Sequence, residues 1–342
     1  MSRIKDIKLK TVKYRYIKPF HIANSITSSV ENVEIELLTD DGLVSRAEAS
    51  PSYRVCGETA SSIVSFAPRL GELKGIELKH YRRIFEITDK LISLPSLKAS
   101  IQFACLSAMC NEVGMRVWEF FGSSKTIIET DKTVSIGRVD DMVKQALEIK
   151  KEGFKILKIK VGENLYRDIE AVEEIYRKTK GMRYIVDANM GYTPKQAIYF
   201  SQKLYSNGID IELFEQPVDR YDIDGLRFVR FNSPFPVCAD ESAKTKYDVI
   251  NLIKQDAVDF VNIKLMKSGI SDAIAIIEIC QSSNIGLMIG CMGESSLGIN
   301  ASVHLALGYG VFEFCDLDSH LMIVEDKFKG DFVQDKNLIK II

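Results

Sequence analysis

Three acids and two lysines recur along this chain at near-constant intervals. Lys160, Asp187, Glu215, Asp240 and Lys264 follow one another at steps of 27, 28, 25 and 24 residues. Each lies near the end of a short apolar run: ILKIKVG (156–162), YIVDAN (184–189), IELFEQP (211–217), PVCADES (236–242) and FVNIKLM (260–266). One charged group per strand–helix repeat puts all five at the C-terminal ends of successive parallel strands. In a barrel of such units those ends share one mouth, and chemistry is done there. Asp187, Glu215 and Asp240 offer three hard oxygen ligands, a set that suits Mg²⁺. Zinc fits less well, because no His or Cys accompanies them. Their mutual repulsion calls for a cation to offset it. Three acids flanked by two lysines are the parts for a metal-stabilised carbanion with a base on each side.

Lys158 stands two residues before Lys160, so both side chains point to one face of the strand. Two inward ammonium groups are costly unless they reach the mouth and meet an anion. Each also lowers the pKa of the other, which tunes one of them toward a base. Lys264 lies nearly across the barrel from that strand, so a substrate held at the centre has Lys160 on one side and Lys264 on the other. Lys267, in the loop that follows, reads as a solvated side chain. Asp316 and Asp318, in CDLD (315–318), form a second same-face pair. Such a pair attracts a cation, either a second metal or, more economically, a substrate ammonium.

The elements that must carry these groups begin near residue 130. From there strands at 133–139, 156–162, 183–189, 210–217, 236–241, 260–266, 286–292 and 311–318 alternate with helical patterns. Gly153 closes the first helix as a C-cap, and Thr193 with Pro194 opens another as N-cap and first helical residue. The repeat predicts a parallel sheet with right-handed crossovers. Eight strands at this spacing favour a closed (β/α) barrel of the TIM type over an open sheet. Ahead of it, 4–17 alternates and 30–49 reads as two β runs around a DDG turn. Residues 18–29 read as a polar loop, and helical patterns cover 60–73, 79–93 and 95–121, the last buried. The expected organisation is an α+β capping domain over 1–125 and a catalytic barrel over 126–320. A final segment, 321–342, returns to the cap.

A formal charge of −2 and a pI near 6.2 leave no electrostatic footprint for nucleic acid. No apolar run approaches a membrane span, and MSRIKDIKLK lacks the apolar core of a secretory signal. The seven cysteines form no CxxC and read as reduced core residues of a cytoplasmic protein. There is no GxGxxG or GxxxxGK[ST] loop, which argues against nucleotide binding.

Taken together, KIK (158–160), VDANMGY (186–192), FEQP (214–217), ADES (239–242) and NIKLMKSG (262–269) resemble the enolase superfamily, and within it the muconate lactonizing enzyme subgroup. The resemblance covers nearly the whole chain, and the paired aspartates near strand 8 narrow it to the dipeptide epimerases. It implies a modified, enolase-like barrel, one Mg²⁺ per subunit on Asp187, Glu215 and Asp240, and Lys160 and Lys264 as the two acid/base catalysts. It implies that Lys158 neutralises the substrate carboxylate, that Thr133, Cys291 and Gly293 line the dipeptide site, and that Asp316 and Asp318 hold the α-ammonium. A homo-oligomer is a further expectation. Two places depart from the epimerases acting on Ala-Glu. Their arginine after the PF dipeptide is matched here by Ser25, while PSYRVCGE (51–58) supplies Arg54 in the second capping loop. The residue inverted at its α-carbon is therefore expected to be Glu or hydrophobic. Competing readings on the same scaffold are an N-succinylamino acid racemase, an o-succinylbenzoate synthase or a cycloisomerase. A competitor of another class is a non-catalytic barrel that binds a metal or a peptide, which has no need of opposed lysines.

Overall fold

The computed structural model describes residues 2–23, 25–328 and 330–342. It opens with an antiparallel sheet of β1 (Ile4–Ile22), β2 (Ser25–Thr39) and β3 (Val44–Ala49), in that order. Alternation decides its faces. Ile4, Ile7, Val33, Ile35, Leu37, Ala47 and Ala49 are buried, while Lys8, Lys10, Glu34 and Glu36 pair across the outer face. In the polar stretch expected as a loop, residues 18–22 and 25–29 are strand. β1 and β2 stay paired to Ile22↔Ser25, and the ribbon bends where the register shifts between Arg15 and Phe20. This ribbon buries neither face fully, so it carries no hydrophobic alternation to announce it. Its cross-strand ladder satisfies the backbone regardless.

The cap continues with α1 (Tyr53–Cys56), α2 (Ala60–Ser65), a 3₁₀ turn (Ala67–Leu73), a second 3₁₀ turn (Leu78–His80), α3 (Tyr81–Leu91), α4 (Pro95–Glu112) and α5 (Val117–Phe120). The pattern at 60–73 breaks before Pro68, whose ring and missing N–H cannot extend a helix. The pattern at 95–121 breaks at Gly114, which sits at φ +68°. α4 is buried on nearly every face.

Then come β4 (Ile127–Glu129), β5 (Lys132–Val134), α6 (Val139–Glu152), β6 (Ile156–Lys160), α7 (Leu165–Lys178), β7 (Arg183–Asp187), α8 (Pro194–Ser206), β8 (Leu213–Glu215), α9 (Ile223–Asn232), β9 (Val237–Ala239), α10 (Lys246–Lys254), β10 (Phe260–Ile263), α11 (Leu265–Ser268), α12 (Ile270–Ser282), β11 (Gly286–Gly290), α13 (Ser296–Tyr309) and β12 (Phe314–Asp316). Strands β5 to β12 form one parallel sheet in sequence order, the expected barrel. No ladder joins β12 to β5 among the described residues, and side chains help close that gap. Asp131 N donates to the Cys315 carbonyl, Leu317 N to Thr130 Oγ1, and Thr133 N to the Asp318 carboxylate at 2.8 Å.

The barrel interior is layered. Ile156, Ile185, Leu213, Cys238, Met288 and Phe314 pack together as a floor. Two residues further along these strands, on the same inward face, stand Lys158, Asp187, Glu215, Asp240, Gly290 and Asp316. The period of two that places an apolar floor thus places a charged layer above it. After a 3₁₀ turn (Ser319–Met322), Tyr16 bridges Ile323, and then β13 (Phe332–Asp335) and β14 (Leu338–Ile341) form a sheet with β4. All seven cysteines are free, and six are buried.

Candidate active site

A cavity of about 350 Å³ opens between cap and barrel mouth. Tyr16, Phe20, Ser25 and Arg54 line it from the cap; Thr133, Lys160, Asp240, Lys264, Cys291, Gly293, Asp316 and Asp318 line it from the barrel. Lys158, Asp187 and Glu215 lie fully buried beneath. A larger hollow of about 720 Å³ lies between the cap sheet and 323–328, but none of the candidate site residues lines it.

The cap wall is held by its own local chemistry. Ser52 caps α1 by accepting from Val55 N, and Gly57 ends it at φ +73°. The Arg220 guanidinium, reaching across from the barrel, donates to the carbonyls of Arg54 (2.8 Å) and Val55 (3.0 Å). Arg54 keeps its own side chain exposed.

The charged layer is a lattice of ion pairs. Lys158 Nζ lies 2.6 Å from Asp316 Oδ2, 2.7 Å from Glu215 Oε2 and 3.2 Å from Asp187 Oδ2. Lys160 donates to Asp187 at 2.5 Å. Lys264 lies 2.7 Å from Asp240 Oδ2. Gly290 makes room for this: a Cβ there would fall 2.9 Å from Lys264 Cε and 2.8 Å from Asn262. Lys160 ends β6 and Lys264 follows β10, four strands away in a barrel of eight, so the two ammonium groups enter from opposite sides.

Burial raises every carboxyl pKa here, and neighbours decide the outcome. Burial pushes Asp187 and Asp240 up, but Lys160 and Lys158 pull the first well below the usual range, to about 2, and Lys264 and Lys267 pull the second lower still. Glu215 ends raised, by burial and then by the charge of Asp187. Asp316 ends lowered, burial being outweighed by Lys158, while burial and Asp316 push Asp318 to about 6. Burial depresses Lys264, yet pairing with Asp240 leaves it raised. That shift belongs to the pairing, so a divalent cation competing for Asp240 would weaken it.

The donor set fits a hard divalent cation. Asp187, Glu215 and Asp240 lie close enough to perturb one another's titration, and Glu215 Oε2 accepts no hydrogen bond, although Lys158 stands near it. A tighter trio exists: one donor atom each from Cys291, Asp316 and Asp318 lie within 4.8 Å of one another. We favour the three-acid set for magnesium, because a thiol is a soft ligand and Mg²⁺ takes oxygen.

Some neighbours were not anticipated from sequence. Lys267 is not solvated: its side chain is 1% exposed and donates to Asp240 Oδ1 (2.6 Å), the Asp240 carbonyl (2.6 Å) and the Asn262 carbonyl (2.9 Å). The turn of α11 folds it back beneath the strand ends, which no spacing rule encodes. Asn262 donates to Glu215 Oε1 at 2.8 Å; its place two residues before Lys264 on one strand face was a usable signal. Glu241 is buried beside Asn189, and burial followed by the Asp240 charge pushes it to about 7. Asp131, fully buried, is raised by burial and by the neighbouring Asp316. The aspartate pair is also not free, since Asp316 Oδ2 meets Lys158 and Asp318 Oδ2 accepts from Thr133 N.

Residues 141–340 match the family model described as enolase C-terminal domain-like. Over 336 residues the chain is 58% identical to the L-Ala-D/L-Glu epimerase of Thermotoga maritima, covering 98% of this chain and 97% of that one. A substrate-liganded complex of the L-Ala-D/L-Glu epimerase from Bacillus subtilis superposes with a TM-score of 0.97 at 31% identity, covering 99% of this chain and 96% of that one. The dipeptide epimerase of Enterococcus faecalis V583, complexed with Mg and L-Leu-L-Tyr, superposes with a TM-score of 0.95 at 32% identity, covering 99% and 97%.

Proposed function

The chain belongs to the enolase superfamily, and from that premise we propose that it is a Mg²⁺-dependent dipeptide epimerase. It inverts the α-carbon of the C-terminal residue in dipeptides of the type L-Ala-L-Xaa, where Xaa is Glu or hydrophobic. The observation that carries this reading is the pair of opposed lysines, Lys160 and Lys264, above three buried carboxylates, with Asp316 and Asp318 lining the same cavity from the end of β12.

The chemical problem is removal of a proton α to a carboxylate, which gathers two negative charges on one group as the enediolate forms. Asp187, Glu215 and Asp240 hold the ion, which when bound supplies Lewis-acid stabilisation of that charge. Lys158, fixed among Asp187, Glu215 and Asp316, adds a buried positive charge aimed at the same developing charge. Lys160 takes the proton on one face and Lys264 returns one on the other, so the configuration inverts in either direction. Asp316 and Asp318 take the substrate ammonium, with Thr133 and the backbone near Cys291 and Gly293 beside it. Tyr16 and Phe20 give the cap side an apolar character, and Arg54 is the cation available to an acidic side chain. Ser25 lines the same wall and contributes no charge.

A library of L-Ala-L-Xaa dipeptides in deuterated water, read by mass spectrometry, tests the proposal. Exchange at the α-carbon should appear, vanish on chelation and return with Mg²⁺. Asp187→Asn, Glu215→Gln and Asp240→Asn should each abolish it. Full turnover in exhaustively demetallated protein would end the reading. N-Succinyl amino acids outperforming free dipeptides would favour the racemase or synthase alternative, since those substrates bring no ammonium to Asp316 and Asp318. No helix among the described residues is long and apolar enough to cross a membrane. The reading includes a cytoplasmic location and a homo-oligomer, the latter checked by sedimentation.

A further inference from the structure

Glu48 is a carboxylate that the proposed chemistry does not use, yet it is 1% exposed and heavily bonded. It is the penultimate residue of β3 in the cap. Its Oε1 accepts from Asn32 Nδ2 (2.9 Å) and Ser295 N (2.9 Å), its Oε2 from Tyr14 Oη (3.0 Å) and Ser295 Oγ (2.5 Å). Tyr14, Asn32 and Glu48 come from three cap strands, and Ser295 caps α13 of the barrel. Asn32 Nδ2 also donates to the Gly293 carbonyl at 2.8 Å. Both partners of that amide nitrogen are acceptors, so its orientation is settled. Next to them, Glu294 exchanges hydrogen bonds with Ser319 of the barrel (3.1 and 2.8 Å). Tyr16 lies over Gly293, where a Cβ would fall 2.4 Å from its hydroxyl. The segment 291–295 is thus held by the cap at 293 and 295 and by the barrel at 294, and its residues 291–293 wall the substrate cavity.

We infer that Glu48 and Asn32 are positioning residues for substrate binding, which fix the Cys291–Gly293 wall at a set distance from the cap. The inference rests on the epimerase reading for its kinetic arm only. Asn32→Ala releases the Gly293 carbonyl and removes one of the four donors to Glu48, which keeps Tyr14 and both groups of Ser295. It should raise KM for the best dipeptide about tenfold, the scale of the lost buried hydrogen bond to the Gly293 carbonyl, with kcat within about threefold of wild type. Glu48→Gln keeps the shape, and its amide can donate to the two hydroxyls, which can accept. It should leave KM within about threefold. A purely structural role would lower the melting temperature of Asn32→Ala and leave KM unchanged, and that result overturns the inference, as does a Glu48→Gln variant as impaired as Asn32→Ala. Amide hydrogen exchange at 291–295 needs no substrate and should quicken in Asn32→Ala. Unchanged exchange overturns the inference. Quickened exchange in a protein whose wild type turns over no dipeptide supports it and counts against the epimerase reading alone.

Discussion

Replacing Lys267 with methionine keeps an unbranched side chain, one atom shorter, and removes its charge. Three acceptors then lose their donor: Asp240 Oδ1, the Asp240 carbonyl and the Asn262 carbonyl. The site is closed to water, with the Lys267 and Asp240 side chains 1% and 4% exposed. Breaking a buried ion pair by deleting one partner costs about 3–5 kcal/mol, and because Asp240 keeps Lys264 at 2.7 Å the cost here falls toward the lower end. A solvated lysine would change stability by no more than about 0.5 kcal/mol. For a chain of 342 residues, a melting entropy of about 2.1 cal/mol/K per residue turns the larger figure into a fall of roughly 4–7 °C. Scanning calorimetry of wild type and Lys267→Met, both metal-free and at one pH, separates the two cases. A fall of less than about 1 °C, with the variant folded, would refute the claim that Lys267 holds Asp240 in place.

The two bases should fail asymmetrically: Lys160→Ala and Lys264→Ala should each abolish epimerisation, while the surviving lysine still exchanges the α-proton of one epimer with solvent; wild-type epimerisation by either variant removes that lysine from the mechanism. Asparagine at both Asp316 and Asp318 should cost roughly a hundredfold or more in kcat/KM, from the loss of charge-assisted bonds to the ammonium. N-acetylation of the dipeptide should cost wild type a similar factor and the double variant little more; an equal loss in both would detach the pair from the ammonium. His320, 9% exposed, is held by burial at about 4 instead of 6.5. The unfolded chain therefore takes up a proton that the fold refuses as pH falls through this window, so stability is full above 6.5 and is lost toward 4. Relative to His320→Asn, wild type should lose about 3 kcal/mol between pH 6.5 and 4, at about 1.4 kcal/mol per pKa unit. Parallel urea-unfolding curves across that range would contradict it.

What was legible in the sequence follows the period of the backbone. Strand residues two apart share a face, so Lys158 with Lys160 and Asp316 with Asp318 could be placed together before any coordinates, and the even step from Lys160 to Lys264 announced the barrel. Lys267 was misread because its position depends on the short α11 turn after the strand. The 18–29 ribbon was misread because a strand that buries neither face writes no pattern in its side chains. Glu48 and Asn32 were invisible for a third reason: Ser295 lies 247 residues from Glu48 and Gly293 lies 261 from Asn32, and only the docking of cap on barrel brings them together.

The small sheet at the other end of the barrel sequence bears on how the molecule folds. β14 pairs with β4 through Leu338↔Glu129, Ile339↔Ile128 and Lys340↔Ile127, contacts about two hundred residues apart, with the whole eight-stranded barrel threaded between them. Closing a flexible loop of that length costs on the order of 5 kcal/mol of chain entropy, against which three ladder pairs give little return. The cost falls once β5 to β12 have assembled step by step through neighbours a few tens of residues apart and the ends already lie near each other. The pairing of β14 with β4 is therefore a late event, a fastening applied after the barrel has formed. Interrupting it should speed unfolding and leave the folding rate nearly unchanged.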